Sequence, residues 1–211
     1  MNSNDVRNMI ERKLAEEKNT HAYFDVIRTK LDQTQAQEVF DFTANYLHNS
    51  VKLMDQVYAA LLAANCLPMF QPIFDAALNY WSEEYDYVPY HLGIAGICDD
   101  AYLSMKLMQL VANSNIPSTN QVLMPGINND LEDQNHFMAY LLGPPIANQL
   151  DQVANQTYQS IYIQDTLNNL LSAAGVGSLF AGGSMAMMHN ALEQNRIDEQ
   201  VNTQLGAMGI F

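Results

Sequence analysis

The chain has 211 residues, 48% of them hydrophobic and only 15% charged, with nine Lys and Arg against twenty-three Asp and Glu for a formal net charge of −14. That length and apolar content suffice for one sizeable core, so a single domain over residues 1–211 is expected. A body of this sign repels phosphate backbones and anionic headgroups, which argues against nucleic-acid binding and electrostatic membrane docking, and suits cations or a basic protein partner.

The imbalance is uneven. Arg7, Arg12, Lys13, Lys18, Arg28, Lys30 and Lys52 face eight acids in residues 1–52, whereas residues 53–211 hold fifteen acids and only Lys106 and Arg196. Cys66 and Cys98 lack metal-ligand spacing and are too few for a disulfide framework, which points to a reducing, cytoplasmic setting. The opening "MNSNDVRNMIERKLAEEKNT" has no apolar signal-peptide core and reads as a first helix.

Helical periodicity then runs through nearly the whole chain, and no strand-type alternation is sustained. Val6, Met9, Ile10 and Leu14 form one stripe. Tyr23, Val26, Ile27 and Leu31 form a second, after Thr20 as a candidate N-cap. In "TQAQ", Thr34 and Gln37 have capping-box spacing and open a long central helix over about residues 35–64. Its expected core positions are Phe40, Ala44, Leu47, Val51, Met54, Tyr58 and Leu61, a 4-3 seam that suits shallow packing inside a bundle or, alternatively, a homo-oligomer interface.

Pro68 suits the first turn of the next helix, with Phe70, Ile73, Phe74, Ala77 and Trp81 on its buried face. A helix starting at Asp99 or Asp100 would bury Leu103, Leu107, Leu110 and Val111. Residues 113–129, "NSNIPSTNQVLMPGINN", are dense in turn residues and mark a candidate internal hinge. A further helix over about 131–142 ends at "GPP", and the remainder reads as two helices divided near "AAGVG". The fold class is therefore all-α, a single-domain bundle of about seven to eight helices.

One stretch breaks this regularity. "DYVPYHLGIAGICDD", residues 86–100, gathers acids, a histidine, a proline and two glycines. Asp86, Pro89, Leu92, Gly96, Asp99 and Asp100 fall without a gap on the pattern D-L-I-P-D-F-I-P-V-L-G-Y-L-D-D, and the stretch thus resembles the signature of the YkvA-like family of small bacterial proteins. Tyr90 and Gly93 stand where that pattern has Asp and Pro. The resemblance spans this signature and the helix after it, and it implies no reaction.

The residues also have a plain structural reading. Asp86 and Pro89 can set a turn, Gly96 permits close approach, and Asp99 and Asp100 occupy the N-cap and first turn of a helix. The chemical alternative is a divalent-cation site built from Glu83, Glu84, Asp86, His91, Asp99 and Asp100, because hard cations take carboxylate oxygens. None of the ordered metal motifs is present, and no G-x-S-x-G or activated cysteine supports nucleophilic catalysis.

A second stretch, "LLSAAGVGSLFAGGSMAMM" over 170–188, is uncharged and about as long as a membrane span. Ala173, Gly177 and Ala181, and beside them Ser178, Gly182 and Ala186, form small-xxx-small rows that allow helices to approach closely. Its glycines and serines and its lack of basic or aromatic flanks favour a buried helix pair over membrane contact. The functional expectation is a non-enzymatic intracellular protein that binds a basic protein partner through its acidic surface and needs no cofactor. The alternatives are a metal-dependent enzyme centred on residues 83–100 and a membrane-active protein working through residues 170–188.

Overall fold

A computed structural model describes residues 1–82, 88 and 92–173, with the side chains of 128–130 and 161–173 outside that description. Seven α-helices follow in order: α1 Ser3–Thr20, α2 Ala22–Arg28, α3 Gln33–Ala63, α4 Leu67–Tyr80, α5 Cys98–Ala112, α6 Asn128–Leu142 and α7 Pro144–Ala173. A short 3₁₀ turn, Ala95–Ile97, leads into α5. Among the described residues there is no strand, only an isolated bridge between Asn115 and Val122. The protein is an all-α bundle.

Local chemistry explains where the helices start and stop. α1 opens with an Asn2/Asp5 capping box. α3 opens with another, Asp32/Gln35, two residues ahead of the Thr34/Gln37 pair that the sequence suggests. α3 ends in a Schellman arrangement: Asn65 turns left-handed at φ 54°, its N–H donates to the Leu62 carbonyl at 3.1 Å, and the Cys66 N–H donates to Leu61 at 3.0 Å. His21, not Thr20, caps α2, at φ 52° and without a side-chain bond. The missing acceptor comes from α1, where the buried Glu17 carboxylate accepts from the Phe24 N–H at 2.9 Å. Gly143, at φ 84°, lets the chain turn from α6 directly into the Pro144 start of α7.

Packing places α3 against α1, α2, α4 and α5, and α5 against α3, α4, α6 and α7. Twelve of the fifteen residues of α5 are buried. The α3 seam is buried inside this one chain, with Leu47, Val51 and Leu61 at 0% exposure. These positions serve the core of the bundle. The seam is rotated relative to the hydrophobic pattern: Thr43, Leu47, Ser50, Met54, Val57 and Leu61 face inward, while Tyr58 is 42% exposed and packs edge-on against Phe74. Thr43 and Ser50 can take core places because their hydroxyls return to the Val39 and Leu47 carbonyls of their own helix.

The loop between α5 and α6 is tied to the bundle. Ile116 and Leu123 N–H groups donate to the Gln121 and Ser114 carbonyls, Met124 N–H donates to Ala112, and Leu123, Met124 and Ile127 pack against the core.

Candidate functional site

α4 and α5 meet at a buried polar layer that surrounds the two acids at the end of the 86–100 stretch. Ile97 is the N-cap of α5, so Asp99 and Asp100 both lie in the first turn, and neither side chain caps the helix from solvent. Both are fully buried. Asp99 Oδ2 accepts from the Tyr80 hydroxyl of α4 at 3.2 Å and from the Val88 N–H at 3.1 Å. One turn further along, Trp81 Nε1–H donates to Ser104 Oγ at 2.8 Å. The carboxylate thus joins α4, α5 and the segment between them.

Electrostatics at this layer are set by burial. Loss of solvent pushes the Asp99 carboxyl from 3.8 up to about 7, against the opposing pull of the Val88 N–H, the nearby backbone N–H groups and the Tyr80 hydroxyl. Burial, reinforced by Asp99 and Asp100, also raises the Cys98 thiol well above its usual range, so Cys98 stays protonated and is no nucleophile. Its thiol donates to the Ile94 carbonyl, and both cysteines are buried and unpaired.

The other candidates in the signature separate from this pair. Gly96 is buried in the 3₁₀ turn before α5. Glu83, Glu84, Asp86, Pro89 and His91 lie outside the described residues. Among the described residues, no three of His, Cys, Asp and Glu converge with metal-holding geometry, and no helix is long and apolar enough to cross a membrane. Of the small-residue rows, Ala173 is the last residue of α7, while Gly177, Ser178, Ala181, Gly182 and Ala186 lie outside the described residues.

A second site has no counterpart in the sequence motifs. A cleft of about 550 Å³ opens between α5, α6 and the first turns of α7. Tyr102, Lys106, Gln109 and Asn113 recur every three or four residues, so α5 presents them on one face of the cleft. Glu132, His136 and Tyr140 line it from α6 at spacings of four, and Asn148 and Asp151 close it from α7. Lys106 Nζ pairs with Asp151 Oδ1 at 3.0 Å, and the Tyr102 hydroxyl donates to the same oxygen at 3.0 Å.

Beneath them the Tyr46 hydroxyl donates to Asn135 Oδ1 at 2.7 Å, and Asn135 Nδ2 donates to Gln109 Oε1 at 3.0 Å. These bonds join residues up to 89 positions apart and make a preorganised floor. The rim is different. Glu132, His136 and Tyr140 are exposed, Tyr140 at 68%. One sequence signal points here: Lys106 is the lone Lys or Arg between residues 53 and 195. A solitary cation in an acidic stretch tends to have a particular carboxylate to meet, and here it is Asp151.

No family model, no curated protein and no solved structure matches the chain.

Proposed function

We propose that this is a non-enzymatic intracellular helical protein that acts by binding a basic protein partner through its acidic surface. The observation that carries this reading is the uncompensated charge: beyond Lys52, Lys106 is the lone Lys or Arg among the described residues, and it is already paired with Asp151. The Glu132 and Asp133 carboxylates, exposed on α6, have no ion pair or hydrogen bond among the described residues. Such a field speeds encounter with a positive surface and rejects negative ones. The buried, unpaired cysteines support a reducing compartment. The YkvA-like resemblance is compatible with a binding role and adds no reaction to it. No observation favours the metal-dependent or membrane-active alternative, whose residues lie largely outside the described part.

The test is fluorescence anisotropy of a labelled arginine-rich peptide and of its citrulline counterpart, which keeps shape and removes charge. Saturable binding of the arginine peptide, weakened as salt is raised, is the expected result. Equal binding of the two peptides, or none of either, would overturn the reading.

A further inference from the structure

The cleft between α5, α6 and α7 has the features of a recognition pocket, and its chemistry defines a ligand class. Its one cationic Lys or Arg side chain, Lys106, is held by Asp151, so no unpaired lysine or arginine is left to attract an anion. The remaining formal charge on the rim is the Glu132 carboxylate. Gln109 spends its carbonyl oxygen on Asn135, which leaves its Nε2 donor for a ligand, and the exposed Asn148 amide lies on the opposite wall. The Gln109 donor, with the donor and acceptor of the Asn148 amide, matches the carbonyl and N–H groups of a peptide backbone. Glu132 and Tyr140 are eight residues apart on one face of α6, about 12 Å at the helical rise. Three to four residues of extended chain cover about that distance.

We propose that this cleft binds a short extended peptide segment bearing a basic side chain, with the cation at Glu132, the backbone against the Gln109 and Asn148 amides, and a neighbouring side chain on the exposed Tyr140 ring. The inference rests on the basic-partner reading above and deepens it by naming where the partner docks. The Tyr102–Asp151–Lys106 and Tyr46–Asn135–Gln109 bonds hold the walls in place before the segment arrives, so little ordering cost falls on the protein. An exposed aromatic ring adds contact area at the cleft mouth and accepts a second cation on its face.

The experiment titrates the full chain, labelled with ¹⁵N, with acetyl-Ala-Arg-Ala-amide and with the same peptide carrying citrulline. The expected result is fast-exchange shifts confined to the facing turns of α5, α6 and α7, with the citrulline peptide bound about fivefold more weakly. Glu132→Gln should weaken the arginine peptide by a similar factor. Asp75→Asn, on α4 and outside the lining, should change it by less than about twofold. Shifts elsewhere, equal affinity for both peptides, or equal losses in Glu132→Gln and Asp75→Asn would overturn the assignment. If the tripeptide fails while the arginine-rich peptide still binds, the cleft is not the docking site and the acidic-surface reading stands. If both fail, both fall.

Discussion

Stability should rise as the solution is acidified from neutral pH, and Asp99 is the residue that should cause it. The carboxyl is fully buried and its pKa is raised from 3.8 to about 7, so the folded state holds a proton that the unfolded chain has released. The associated stability is fully present below the unfolded value and is lost as pH rises through the folded one. Each unit of difference is worth about 1.4 kcal/mol. Between about pH 5 and pH 8 the unfolded carboxyl is ionised throughout, so the native state should lose about 3 kcal/mol across that window. For a chain of this size that is on the order of 10 °C in melting temperature.

The measurement is urea unfolding of the wild type and of Asp99→Asn at a series of pH values. The amide cannot ionise but can still accept from Tyr80 and Val88, so the variant should remove most of this slope and should be the more stable protein at about pH 8. Histidine titrations common to both proteins cancel in the difference. A difference between the two that is flat with pH, or that favours the wild type more as pH rises, would refute the reasoning and with it the claim that burial dominates this carboxylate.

Other predictions follow from the packing. Leu47→Ala, at a fully buried seam position, should cost about 2 to 5 kcal/mol by denaturant unfolding, whereas Tyr58→Ala, 42% exposed, should cost well under half of that. Glu17→Ala should lower stability by about 1 to 2 kcal/mol, because the Phe24 N–H loses its acceptor, and Glu17→Gln should recover most of the loss. Trp81→Phe should cost about 1 to 3 kcal/mol, since it leaves the buried Ser104 hydroxyl without its indole donor, and near-ultraviolet circular dichroism should report the loss of the single tryptophan.

The amino-acid sequence by itself determined the all-α class, because helical periodicity and capping chemistry are local and act over only a few residues. The buried face of α4, Phe70, Ile73, Phe74, Ala77 and Trp81, was legible for that reason, as was the turn at Gly143. Boundaries shifted where two local solutions compete within one turn, as with Asp32 against Thr34. Tertiary structure decided what apolar periodicity does not encode. Thr43 and Ser50 enter the core because each hydroxyl has an acceptor on its own helix, and Tyr58 sits at its margin, half-exposed and edge-on against Phe74 of α4. Asp99 and Asp100 carry the charge pattern of exposed helix-start acids; tertiary packing buries Asp99 and so raises its pKa, while Tyr80 and Val88 supply donors that oppose the rise. The cleft is the extreme case. Its floor joins Tyr46 to Asn135 and its wall joins Lys106 to Asp151, and the worth of each such pair depends on a partner brought near by folding, not on its neighbours along the chain.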